Sequence, residues 1–144
     1  MPRKPVQLAV VDADPMYRSI LSRELEEQSG GFLKVILRAA NGAELLACLE
    51  GQLPDVVLMD PELPVLDGST TAGYLRALFP EIVVTALLRR EEGTGRSYAH
   101  RSGFHAEVSK DENLFSMISQ IRRAVLRVPE GEGWIAPVPG HGLA

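Results

Sequence analysis

Three charged residues in this 144-residue chain stand directly after short apolar runs: Asp12 after QLAVV, Asp60 after VVLM and Lys110 after AEVS. If those runs are neighbouring parallel strands, their C-terminal ends share one edge of a sheet, which is where open α/β sheets bind ligands. Two carboxylates and an ammonium would then converge. Such an oxygen-rich site suits a hard cation such as Mg²⁺, with the lysine placed to neutralise a phosphate. Taken singly, Asp60 is equally open to plainer readings, as a loop carboxylate or a helix cap.

The elements that must position these groups can be read in order. Residues 7–11 form a first strand, and Asp14-Pro15 opens a helix, Asp14 as N-cap and Pro15 in its first turn. Met16, Ile20, Leu21 and Leu25 are expected on its inward face, and Ser29-Gly30-Gly31 stops it. Phe32 to Ala39 holds a second strand. Asn41 and Glu44 have capping-box spacing for a helix through Leu49, closed by Gly51. The unbroken run Val56–Met59 reads as a strand buried on both faces. The proline-rich loop after it carries Glu62 and Asp67, and Ser69 or Thr70 opens a third helix with Leu75 and Leu78 inward and Pro80 at its close. Ile82 to Leu88 is a β-branched-rich fourth strand. Glu91 to Arg101 is a weak helix, because Gly93 and Gly95 each cost roughly 1 kcal/mol there. Ala106–Ser109 is a fifth strand, and Asp111 caps a last amphipathic helix with Leu114, Phe115, Ile118, Ile121, Val125 and Leu126 on one side. Alternation of five strands with five helices predicts an α/β fold, a doubly wound (βα)5 unit on a five-stranded parallel sheet.

Composition excludes several classes. A net charge of −4 argues against a chain whose main task is gripping nucleic acid. No apolar run approaches a membrane span and MPRKPVQ lacks the apolar core of a signal peptide, so the expectation is a cytoplasmic domain with no membrane association. Cys48 is the single cysteine, which removes disulfides and cysteine metal sites; among Leu45, Leu46 and Leu49 it is expected to be a buried thiol. Residues 1–127 are expected to form the domain. Residues 128–144, rich in Pro and Gly, read as a tail or linker, within which Trp134 is a docking or linker contact.

VVDADP, PDVVLMDPELPVLDG and SKD, spread over roughly residues 6 to 127, resemble the motifs of response-regulator receiver domains. The proline after the acids, the KD at the lysine and the terminal RVPEGEGWIAP resemble the LuxR/NarL class, in which a helix-turn-helix DNA-binding domain follows; DNA would be bound only through such a domain, which this chain does not contain. The resemblance implies a flavodoxin-like fold and a phosphorylation switch. Asp60 matches the phosphoacceptor that takes a phosphoryl group from a sensor histidine kinase, Lys110 matches the phosphoryl-contacting lysine, and Asp12 matches the first of an acidic pair. Asp12, Asp60 and the Glu62 backbone carbonyl match the family's Mg²⁺ ligands, and the first and last helices match a surface used for homodimers.

Three departures from the family pattern stand against these matches. Ala13 occupies the position of the second acid, a direct metal ligand in the family. Counting without gaps from Asp60 to Lys110, and from Pro80, places Leu88 where the family has a phosphoryl-binding Thr or Ser; Thr85 takes that role only if the strand is shifted. Glu107 falls at the aromatic switch position. A lost carboxylate weakens Mg²⁺ binding without abolishing it, and a lost charge-assisted hydrogen bond is worth roughly 1.5–3 kcal/mol. Asp14 or the Glu62 side chain could compensate, against the simpler readings of a helix cap and a solvent-facing loop residue.

Other candidates are weaker. His100 and His105, near Tyr98 and Phe104, lack metal-ligand partners and are expected at surface or packing positions; Arg122, Arg123 and Arg127 make a basic strip on the last helix. Two functions remain: a receiver phosphorylated weakly on Asp60 to control transcription, or a phosphorylation-independent pseudo-receiver that dimerises or binds a ligand or partner. A metal-dependent phosphohydrolase is a distant third, since no general acid is supplied; the chain is expected not to be an enzyme beyond accepting and slowly losing a phosphoryl group.

Overall fold

The computed structural model describes residues 4–89 and 103–127. Five strands, β1 (Val6–Val11), β2 (Leu33–Ala39), β3 (Val56–Met59), β4 (Val83–Leu88) and β5 (Ala106–Ser109), form one parallel sheet in the order β2-β1-β3-β4-β5. The helices among the described residues are α1 (Pro15–Gln28), α2 (Gly42–Cys48), α3 (Gly68–Leu78) and α4 (Leu114–Arg127). The expected helix at 91–101 lies outside the described residues, as do the tail at 128–144 and the side chain of Arg127.

The sheet is covered on both faces, which is why its strands are continuously apolar. Leu8, Val10, Leu58, Leu87 and Val108 face one way, onto Leu21 and Leu25 of α1 and Met117, Ile118 and Ile121 of α4. Ala9, Val11, Val57, Met59 and Val84 face the other way, onto Leu45 of α2 and Ala72 and Leu75 of α3. Chain direction across the sheet reverses between β1 and β3, and that switch point brings Asp12 beside Asp60. The registers Val11↔Met59, Met59↔Ala86 and Leu88↔Ser109 put the three strand ends at one level.

Several expectations about faces and caps are corrected. Met16 is 70% exposed and Ile20 is also exposed; Leu21, Ser22 and Leu25 are the buried residues of α1. At 100° per residue, Met16 and Ile20 lie more than 90° from that buried arc. Cys48 is exposed rather than a core thiol, because Leu45 and Leu49 point α2 inward and Cys48 falls to one side. Asp67, rather than Ser69 or Thr70, caps α3, its Oδ1 accepting from the Thr70 N–H at 2.8 Å. That hydrogen bond holds the Asp67 carboxyl below its ordinary range. Leu78 is exposed, because Phe79 turns in against the core as the chain leaves the helix. Asn113, rather than Asp111, accepts at the start of α4, from the Ser116 N–H at 2.8 Å. Phe115 (83% exposed) and Leu126 lie outside, leaving Met117, Ile118, Ile121 and Ala124 as the buried face.

Candidate functional site

Each charged group is held where its strand ends. β1 runs buried to Asp12, itself 3% exposed, whose Oδ1 accepts from the Asp14 N–H at 2.9 Å. Arg18 Nη1 donates to the Asp12 carbonyl at 2.6 Å, tying the strand end to α1. Asp14 is the N-cap of α1, its Oδ1 accepting from Met16 and Tyr17, and this leaves it facing the helix. At the end of β3, Asp60 Oδ1 accepts from the Glu62 N–H at 2.8 Å, while the Glu62 side chain is exposed. Lys110 is fixed by its backbone N–H, which donates to the Leu88 carbonyl at 2.6 Å.

The three converge. Lys110 Nζ donates to Asp60 Oδ2 at 2.7 Å and lies 2.8 Å from Asp12 Oδ2. Burial pulls the Lys110 ammonium towards deprotonation, but its bonds to Asp12 and Asp60 and their charges outweigh that, and its pKa is raised overall. The lysine is therefore a cation at neutral pH. Removing either carboxylate would leave it under-compensated in a poorly hydrated place.

Two residues that sequence reasoning missed complete the pocket. The Tyr17 ring lies with its centroid 4.9 Å from Lys110 Nζ. Burial, more than any neighbouring charge, pushes the Tyr17 phenol up to about 12, so it stays neutral. Gly68 packs against the loop that follows Asp60. Its N–H donates to the Pro61 carbonyl at 2.9 Å, and a Cβ there would stand 2.5 Å from Pro61 Cα and 2.7 Å from the Asp60 carbonyl oxygen. The signal for Gly68 was its place directly after the capping Asp67. Nothing in the spacing marked Tyr17.

The positions expected to depart from the family pattern can be located as well. Ala13 is exposed just beyond Asp12 and contributes a methyl where an acid would contribute oxygens. Leu88 ends β4 opposite Ser109, beside the Lys110 backbone. Thr85 lies opposite Leu58 and Ala106, about 7 Å along the strand from the level of Asp60. Its hydroxyl is buried without a hydrogen-bond partner among the described residues. Glu107, in β5, is partly buried. His105 is buried and structural, its Nδ1 accepting from the Val84 N–H at 2.9 Å; His100, Tyr98 and Trp134 lie outside the described residues. Among the described residues no group of three or more His, Cys, Asp or Glu side chains is arranged to hold a metal ion.

An acid-lysine cluster at the switch point of a 2-1-3-4-5 sheet is what receiver domains present, and the sequence comparison decides the matter: residues 8–122 match the family model described as the response regulator receiver domain. The chain belongs to that family. Its relatives include a probable transcriptional regulatory protein NarL of Mycobacterium tuberculosis, 30% identical over 139 residues. This alignment covers 96% of the chain and 62% of the relative, so the chain spans less than two thirds of that regulator. An uncharacterized 14.6 kDa protein of Leptolyngbya boryana is 31% identical over 129 residues, covering 86% of this chain and 93% of the other. Among solved structures, the signal receiver domain of the putative response regulator NarL from Mycobacterium tuberculosis aligns with a TM-score of 0.73 at 26% identity, covering 86% of this chain and 98% of that one. This receiver is thus a two-component signalling domain with NarL-type relatives, in a family whose members are mainly regulatory. No helix among its described residues is long and apolar enough to cross a membrane.

Proposed function

We propose that this receiver accepts a phosphoryl group on Asp60 from a sensor histidine kinase, and that the modified domain controls a transcriptional output. The observation that carries the reading is the Lys110 ammonium lying 2.7 Å from Asp60 and 2.8 Å from Asp12. In the transfer, an Asp60 oxygen attacks the phosphorus of the donor phosphohistidine. The new P–O bond forms as the P–N bond breaks, and the imidazole leaves with the electron pair of that bond. Lys110 can follow the charge, exchanging a carboxylate contact for one to a phosphoryl oxygen while Asp12 retains the other side of the ammonium.

The family implies Mg²⁺, and the residues fit a weakened site. Asp12 Oδ2 is buried, and its contact among the described residues is the Lys110 ammonium at 2.8 Å, which leaves oxygen lone pairs to offer a hard cation. Asp12, Asp60 and the Glu62 carbonyl would hold the ion, with waters filling the place of the oxygen that Ala13 lacks. Bound there, the metal would supply neutralising charge to the phosphoryl oxygens. The strand register supports reading Leu88, not Thr85, as the altered phosphoryl-contact position, since Thr85 is buried below the level of Asp60.

A homodimer through α1 and α4 is supported by the apolar side chains left outside on those adjacent helices, Met16, Phe115 and Leu126. DNA contact would belong to a separate helix-turn-helix domain, and residues 128–144 would lead towards it.

The test is intact mass after incubation with phosphoramidate and Mg²⁺, with Asp60→Asn in parallel. A single phosphoryl adduct on the parent and none on the variant is expected. No adduct at saturating donor and metal would overturn the reading in favour of a pseudo-receiver, for which Ala13 and Leu88 are the supporting residues.

A further inference from the structure

We propose that Tyr17 is a positioning residue of this pocket: its ring face holds the Lys110 ammonium against Asp12 and Asp60. The inference rests on the reading of Asp60 as phosphoacceptor. The ring centroid is 4.9 Å from Lys110 Nζ, within the range at which an aromatic face attracts a cation. The ring is also fixed. Tyr17 sits in the first turn of α1, and its backbone N–H donates to Asp14 Oδ1 at 3.2 Å, so the cap that starts the helix sets where the ring stands. Arg18, the next residue, ties the same turn to the Asp12 carbonyl. Ring and Asp12 are thereby built on one short segment, against which the Lys110 ammonium from the end of β5 is set.

What the ring adds is a wall. The side chains of Lys110 and Asp12 are 8% and 4% exposed, whereas Asp60 is 23% exposed and forms the open side. Shielding the ammonium from water strengthens its pull on a nearby anion. That matters more here because Ala13 and Leu88 supply no side-chain oxygen to the pocket. The Tyr17 hydroxyl is buried and makes no hydrogen bond among the described residues, so the ring, not the hydroxyl, is the working part.

The experiment compares the parent chain with Tyr17→Phe, which keeps the face, and Tyr17→Leu, which removes it; Tyr17→Met serves if the leucine variant does not fold. Phosphoryl uptake from phosphoramidate is followed by intact mass, and the Lys110 side-chain resonances are followed by NMR. Tyr17→Phe is expected to match the parent in both. Tyr17→Leu is expected to take up phosphate about fivefold more slowly, the equivalent of an exposed-to-partly-buried cation–π contact, and to shift the Lys110 resonances. Unchanged uptake in Tyr17→Leu, or slower uptake with unmoved Lys110 resonances, would overturn the proposal and leave Tyr17 a packing residue. If the parent takes up no phosphate, the phosphoacceptor reading fails by itself; a Lys110 shift in Tyr17→Leu but not in Tyr17→Phe would still support the clamp, and its absence would sink it.

Discussion

His105 should make this domain acid-sensitive in a window set by a single side chain. It stands at the start of β5, buried, and its Nδ1 accepts the Val84 N–H at 2.9 Å while its own backbone N–H donates to the Val84 carbonyl at 2.8 Å. Protonating Nδ1 would turn that acceptor into a donor facing another donor, inside the sheet. Burial, with the Arg76 charge as a second cause, lowers the His105 pKa from 6.5 to about 4, against a smaller opposing effect of the Val84 bond. The unfolded chain therefore binds the proton first. Stability from this group is fully present above pH 6.5, falls as pH drops through the window between 6.5 and 4, and falls little further below it. Two populations with those midpoints differ by about 2 kcal/mol at pH 5 and about 3 kcal/mol at pH 4. Domains of this kind are stable by only about 5–15 kcal/mol.

The assay is urea unfolding at pH 7, 5 and 4 for the parent and for His105→Asn, whose amide oxygen can still accept from Val84 but does not titrate. Carboxylate effects are common to both proteins, so the difference isolates the histidine. The parent should lose about 2–3 kcal/mol more than the variant between pH 7 and pH 4. Parallel losses would refute the reasoning, because they would mean that His105 titrates alike in the folded and unfolded chains.

Other perturbations test the loop and the surface. Gly68→Ala should destabilise the domain by about 2 kcal/mol, since the added Cβ meets backbone atoms of Asp60 and Pro61, and phosphoryl uptake should fall with it; unchanged thermal unfolding would show that the loop relaxes freely. Val65 is 83% exposed at φ 67°, in a turn closed by the Leu66 N–H donating to the Pro64 carbonyl at 2.7 Å. Val65→Gly should therefore stabilise by about 1 kcal/mol, the relief of left-handed strain exceeding the entropy cost of glycine, and a lowered melting temperature would contradict it. Cys48 should react with a thiol reagent in the native protein at nearly the rate of the urea-unfolded chain, whereas strong protection would place it in the core after all.

The strands and the three charges were legible because each signal was local and doubly marked. An apolar run bounded by Pro, Gly or Asp specifies a buried strand, and a charge at its end cannot enter the core. Helix faces were less legible. Counting Met16, Ile20, Phe115 and Leu126 as inward assumed that apolar means buried, yet the buried arc of α1 includes Ser22, whose hydroxyl is satisfied by the Arg18 carbonyl at 2.7 Å. A serine paired to its own helix costs the core little, so hydropathy misplaced the face. Caps were ambiguous for another reason. Asp67 stands beside Ser69 and Thr70, and Asp111 beside Asn113, all capable acceptors, and only the path of the incoming loop selects one.

The pocket itself divides along the same line. Asp12, Asp60 and Lys110 follow from strand order alone, since parallel pairing brings their ends together whatever the helices do. Tyr17 depends on the rotation of α1, which is set by Asp14 accepting from residues 16 and 17 and by Arg18 reaching the Asp12 carbonyl. Those bonds make the helix start and the strand end one unit. A change in the cap is therefore a change in the pocket: losing the Asp14 carboxylate would free the first turn of α1 and the ring it carries, with Asp12, Asp60 and Lys110 untouched. Resemblance to a family supplies the residues that all its members share.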